Sequence, residues 1–434
     1  MKKLLLSSVA ICGLALAGPA VAAEHSAHAG GVKLDLGGFY KGYAAFVDQE
    51  EASSSDVNEF DWLQNTEVYF TGETVLDNGL VVGYHAEVEA DGNDSFDVQE
   101  SYAYFSGAWG RVNAGAENGA AYLLQVEAPS ADSNVDGLRT FINPVNYAAA
   151  PGVIGELAGA IDGGIASGTT LNDFGTPGAG GDDVITNSAI DGGAISELFV
   201  FDYDDDITGY SNKVTYLTPV FSGFQAGVSY SPETTEDSRT SPLATGVGTD
   251  NGVGDYGDSF EIGARYEGEF EGFGFALGAG YSHSELEEGG IVTYVDADDS
   301  DTFNAGDEVV ASLDDRTSWN VGLDVDFGGF GLGAAYVQDD LGFDDGADRD
   351  TLVVGGDYTT GPWKVGLSYY NQDQEVEALY GEGEIETDRY TGGVVYTYGP
   401  GMTFRGSISY IDHEIDGSDD VDATSVLLGT QIKF

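Results

Sequence analysis

The sequence predicts an all-β chain: sixteen antiparallel strands closing into one barrel that crosses a membrane. Three observations predict it. Apolar and polar residues alternate with a period of two in run after run from residue 32 to the C-terminus. The segments between the alternating runs are short and long by turns. No stretch after the first 23 residues is apolar for the roughly 18 residues that a membrane helix requires.

The N-terminal segment comes first. Lys2 and Lys3 precede an apolar run from Leu4 to Ala17, then Pro19 and the small residues Ala20, Val21, Ala22 and Ala23. This is the pattern of an export signal, and the run is too short to span a bilayer. Residues 1–23 are therefore expected to be a signal peptide and 24–434 a single barrel domain. The only cysteine, Cys12, lies in the apolar run, so the exported chain is expected to hold no disulfide and no thiolate chemistry. It keeps 13 basic residues against 75 acidic ones, a net charge near −62. Such a field repels nucleic acid and enriches cations.

The strands follow in order. In 32–47, Val32, Leu34, Leu36, Tyr40 and Phe46 share a face, while Lys33, Asp35 and Lys41 share the other. Further runs are expected at 61–75, 79–90, 97–106, 110–118, 208–218, 222–231, 258–270 and 272–284. The remainder are 315–327, 329–339, 350–360, 362–372, 386–398, 400–413 and 421–434. Helical periodicity is absent from them. A one-residue slip would turn every lumen charge into lipid, which fixes the register.

The short connections carry turn residues, as in Asp77-Asn78-Gly79, Gly328-Gly329 and Gly361-Pro362. The long ones, near 48–60, 91–96, 119–207, 232–257, 285–314, 340–349, 373–385 and 414–420, are acidic and rich in Gly and Ser. Short turns on the periplasmic side and long extracellular loops mark a bacterial outer-membrane barrel. Closure leaves no unpaired edge in lipid. Aromatic residues bracket the short turns, Phe327 and Phe330 for example, as expected at a membrane interface.

At this point the residues resemble the Gram-negative general porins. The segment Gly209-Tyr210-Ser211-Asn212 through Tyr216-Leu217-Thr218-Pro219-Val220-Phe221-Ser222-Gly223-Phe224 is similar to a family motif, with Ser and Asn reversed. Gly38-Phe39-Tyr40-Lys41-Gly42-Tyr43 resembles the family's first strand, and the terminal Phe434 resembles its assembly signal. The family's Gly-Arg after the fifth strand is replaced here by Gly115-Ala116-Glu117. The resemblance implies a homotrimer, delivery by the outer-membrane assembly machinery, and a third loop (about 119–207) folded into the pore.

The pore is then expected to set basic wall residues, Lys41, Arg111, Lys213, Arg265, Arg389 and Arg405, against loop carboxylates, Glu117, Glu127, Asp132 and Asp136. Field lines focus in such a constriction. With acid in excess, the expectation is a cation-preferring diffusion channel for small hydrophilic solutes and ions. A substrate-specific channel and a secreted or surface β-protein are the alternatives. No nucleophile elbow and no histidine cluster is visible in the sequence, so an enzyme is not expected.

No cofactor is required on this reading. One segment suits calcium: Asp296, Asp298, Ser300, Thr302, Asn304 and Asp307 have the spacing of a calcium loop, though Asp301 stands where such loops turn on glycine. A diffuse acidic surface is the plainer alternative. His25 and His28 lie near the expected mature N-terminus and read as part of a flexible tail.

Overall fold

The computed structural model describes residues 31–53, 55–90, 97–132, 135–152, 171–172, 184–185, 201–234, 254–289, 291–295, 308–344, 347–375, 383–415 and 420–434. The signal segment 1–23, His25, His28 and the acidic segment 296–307 lie outside these residues.

Sixteen strands form the barrel: β1 (Lys33–Gln49), β2 (Phe60–Val75), β3 (Val81–Glu89), β4 (Asp97–Gly107), β5 (Gly110–Ala116), β6 (Asn212–Leu217), β7 (Phe224–Glu233) and β8 (Tyr256–Phe270), then β9 (Phe273–Leu286), β10 (Arg316–Phe327), β11 (Phe330–Asp339), β12 (Arg349–Thr360), β13 (Trp363–Glu375), β14 (Glu384–Gly399), β15 (Met402–Ile415) and β16 (Val421–Lys433). Each pairs with its sequence neighbours, and β1 pairs with β16 to close the sheet. The closing seam runs from Phe39 opposite Lys433 to Gln49 opposite Ala423. Phe434 extends it: its N–H donates to the Gly38 carbonyl at 3.1 Å, and its own carbonyl accepts from the Gly38 N–H at 3.0 Å.

The sixth strand is shorter than the expected 208–218. Residues 208–211 turn instead, with Gly209 N–H donating to the Asp206 carbonyl at 3.0 Å and Ser211 N–H to that of Thr208 at 3.1 Å. The long segment 285–314 contains a hairpin, 291–295 against 308–312, that the alternation did not reveal. At the opposite end, Gly328 and Gly329 take φ of 58° and 92°, the left-handed geometry of a two-residue hairpin turn.

The outward face is apolar and unpartnered. Leu34, Leu332 and Leu367 are 79%, 66% and 72% exposed. A belt of this kind cannot face water and marks the lipid contact. Rings pair near the short turns, Phe273 stacked on Phe327 at 4.3 Å and Phe330 tilted against Tyr358 at 4.4 Å. Toward the long loops a second tier carries polar handles. Tyr336 donates to Asp350 and Tyr369 to Asp388, both at 2.7 Å, and Tyr410 donates to Asp422. Aromatic rings with a wet edge favour this depth of a bilayer.

Candidate functional site

The third loop folds into the barrel, and its contacts build the interior. It leaves β5 at Glu117 and Asn118, forms a one-turn helix, Ala120–Leu123, and continues extended to Asp132. The loop backbone can lie against the wall because inward positions of successive strands are glycine. A Cβ at Gly263 would stand 2.2 Å from the Ala120 oxygen, and one at Gly322 2.1 Å from that of Val126. At Gly355 the distance to the Pro129 oxygen would be 1.9 Å, and at Gly393 to the Ala131 oxygen 1.6 Å. The track circles from β8 to β14.

The loop then turns through a small hairpin, 135–136 against 139–140, and crosses to the far wall. There Ile142 joins a buried cluster with Tyr43, Ala45 and Leu427. Deeper in the loop, Tyr147 packs edge-on against His413, 266 residues away in sequence. The returning limb, Phe201 to Tyr210, packs Phe201 on Tyr370 and ties Asp205 to Ser282 at 2.8 Å and Asn320 at 2.9 Å. Gln125 joins the outgoing and returning limbs, donating to the Tyr203 carbonyl and accepting from the Asp205 N–H. Burial pushes the Glu117 and Asp205 carboxyls up, each to about 7.

Most of the residues expected at the constriction fasten this loop. Lys41 is fully buried, its Nζ 3.4 Å from the centre of the Phe141 ring and 4.8 Å from that of Phe39. Lys213 donates to the carbonyls of Glu117 at 2.6 Å and Gly209 at 2.5 Å. Arg265 donates to the Gln125 carbonyl at 3.0 Å and pairs with Glu267 at 2.7 Å. Arg389 lies over the Phe201 ring at 4.6 Å and 3.7 Å from Asp132. Arg111 stacks on Tyr104 at 4.2 Å and donates to Asn113, which donates twice to Glu117 at 2.8 Å. Arg405 is half-buried beside Thr403. Glu127 is half-buried on the loop near Tyr203. Asp136 lies in the small hairpin, its side chain outside the described part. Arg389 with Asp132, and Arg111 with Glu117 through Asn113, are brought together, while Lys41, Lys213 and Arg265 meet the loop through an aromatic ring or backbone carbonyls.

The sequence reading missed Arg139, Arg316 and Arg349. Arg139 pairs with Asp204 and Asp206, both at 2.7 Å, and joins the two limbs of the loop. Arg316 and Arg349 clamp Asp339 at 2.6 and 3.1 Å. The available signal was their rarity: with only 15 basic residues in the chain, an arginine inside an acidic loop has work to do. Together they line a cavity of about 340 Å³ between loop and wall. Its carboxylates are Glu67, Glu89, Asp202, Asp204, Asp206 and Asp339, twice as many as its three guanidiniums.

The fold agrees with that of known proteins. A family model described as Gram-negative porin matches residues 7–416. The anion-selective porin from Comamonas acidovorans superposes with a TM-score of 0.52 at 17% identity, covering 93% of this chain and 100% of that one. OmpT of Vibrio cholerae, an outer membrane protein folded in vitro and seen in its trimer form, gives 0.50 at 11% identity, covering 93% and 99%. No curated protein matches the chain in sequence. A closed sixteen-strand barrel with an apolar outer belt, matched over nearly its whole length by the family model, places this chain in the Gram-negative porin family of the outer membrane.

Proposed function

We propose that the barrel is a general diffusion channel that prefers cations. The observation that carries this is the lining of the cavity beside the infolded loop, with six carboxylates and three guanidiniums. All three guanidiniums are committed to carboxylates, so the field left over is negative. Between low-dielectric walls that field concentrates cations and opposes anions. The loop-to-wall anchors fix the carboxylates in place, so selection needs no movement. Small hydrophilic solutes pass by size.

The working unit on this reading is a homotrimer in outer-membrane lipid, with Phe434 as the handle for the assembly machinery. Light scattering of the detergent-solubilised barrel tests the trimer.

Single-channel conductance in a planar bilayer, with the reversal potential taken across a KCl gradient, tests the channel. Stepwise conductance with cation preference is expected. Anion preference would overturn the reading of the charges. A small conductance blocked by one solute would replace it with a substrate-specific channel.

A further inference from the structure

One group of side chains has no part in seating the loop by contact with its backbone. His85 and Glu87 on β3 and Glu100 on β4 turn inward and converge below Glu89 and Gln99, toward the short turns. An imidazole nitrogen and one oxygen from each carboxylate lie within 4.8 Å of one another. All three residues are buried, at 6%, 6% and 8% exposure.

Strand register forces this meeting. Glu87 and Glu100 stand directly opposite in the β3–β4 ladder, where like charges destabilise a sheet. Glu67 of β2 is a third buried carboxylate beside them, since its neighbour-but-one Tyr69 pairs with Glu87. The fields of Arg139 and Lys41 reach Glu67, and that of Arg139 reaches Glu100, but the Arg139 guanidinium is itself paired with Asp204 and Asp206. Glu67 accepts from the Tyr69 hydroxyl, Glu100 from Asn118, and Glu87 pairs with His85. Buried carboxylates in this number require a compensating cation or protons.

We propose that His85, Glu87 and Glu100 hold a divalent first-row transition-metal ion of the zinc class. An imidazole nitrogen with carboxylate oxygens suits such an ion, whereas calcium and magnesium favour oxygen alone. The His85 Nε2 to Glu87 Oε1 distance is 2.9 Å. That is close to the ligand edge of about 3.3 Å expected of a tetrahedral ion with bonds near 2.0 Å. The supporting contacts are also in place. Thr71 Oγ1 lies 2.8 Å from His85 Nδ1, which leaves Nε2 for the ion, and Asn118 Nδ2 donates to Glu100 at 2.9 Å. Partners of this kind orient metal ligands. Glu67 or water completes the coordination. Because Asn118 stands at the root of the third loop, the ion staples that root to β3 and β4.

The test uses the detergent-solubilised full barrel, stripped with EDTA and titrated with Co²⁺ in roughly 0.5 M KCl, where diffuse binding to surface acid is screened. One Co²⁺ per chain, with the visible absorption of a four-coordinate nitrogen–oxygen site, displaced by Zn²⁺ and not by Ca²⁺, is expected. His85→Gln and Glu87→Gln should each weaken binding by about 100-fold or more, and Asn118→Ala by roughly 10–100-fold. Folding of each variant is checked by its mobility in unheated gels. Unchanged binding in the folded His85→Gln barrel overturns the site, as does equal displacement by Ca²⁺ or the lack of a stoichiometric ion in wild type. The last two are read on the wild-type protein alone, so they decide the matter even if a variant fails to fold. None of these measurements depends on ion flow.

Discussion

The glycine track under the third loop gives the sharpest mechanical test. In Gly393→Ala the new Cβ would lie 1.6 Å from the Ala131 oxygen and 2.9 Å from the Asp132 nitrogen. Ordinary contact begins at 3.4 Å, so the loop must lift by about 1.8 Å. Both atoms in the way are backbone, so no side-chain rotation relieves them. Overpacking of this kind costs about 1–3 kcal/mol. Part of that is offset by the ~0.5–1 kcal/mol gained on removing a glycine from a strand. Lifting also draws Asp132 away from Arg389 and narrows the free lumen. Single-channel conductance should fall and the heat-dissociation midpoint of the folded band should drop. Gly355→Ala, whose Cβ would meet the Pro129 oxygen at 1.9 Å, should act alike. The double variant should cost less than the sum, since one displacement serves both. The control is Gly274→Ala, also inward, whose nearest contact is Asp326 Cβ at an ordinary 3.6 Å. Conductance and midpoint indistinguishable among Gly393→Ala, Gly355→Ala and Gly274→Ala would refute the seating of the loop on this track.

Arg139→Gln should destabilise the loop by about 3–5 kcal/mol, because Asp204 and Asp206 are left buried without their cation; urea unfolding of the barrel followed by tryptophan fluorescence measures it. Glu117 and Asp205 carry folded values near 7, above the ordinary carboxylate range. Their protonation on going from pH 8 to pH 6 should reduce the cation preference seen in reversal potentials, and Glu117→Gln should flatten part of that dependence. For stability the sign is opposite to that of an ion-paired acid. The folded chain binds more protons at these two groups, so their contribution is fully present below the ordinary carboxylate values and is lost as pH rises through 7; midpoints at pH 5 and pH 8 should differ in that direction, and by less in Glu117→Gln. Removing Phe434 deletes the two backbone bonds it makes to Gly38 at the seam. The fraction recovered as heat-modifiable barrel should fall, while the conductance of what does fold stays the same.

How much was legible in the sequence follows from the range over which each signal acts. The sixteen strands and their inward and outward faces are local facts, and closure follows because lipid tolerates no unpaired edge. A strand spanning lipid must expose apolar side chains on one face, and its side chains alternate with a period of two, so Leu323 and Asp324 declare their sides without reference to the rest of the chain. Short and long connections then order the strands. The path of the third loop is different in kind. Its contacts join residues far apart in the chain, 97 positions for Gln49 with Asn146 and 266 for Tyr147 with His413. Alternation even misleads there. Val337, Val353, Ile385 and Ile411 face inward and are buried under the loop, although a water-filled lumen would favour polar groups. Local breaks in alternation, as in Leu352-Val353-Val354, were the trace this docking left in the sequence. Lys41, Lys213 and Arg389 likewise read as lumen charges because their strands point them inward, and only the folded loop arriving above them makes them anchors. Local periodicity thus determined the barrel, whereas tertiary structure alone decided what fills it, because the packing of loop on wall is set by shape and charge between segments that no sequence window holds together.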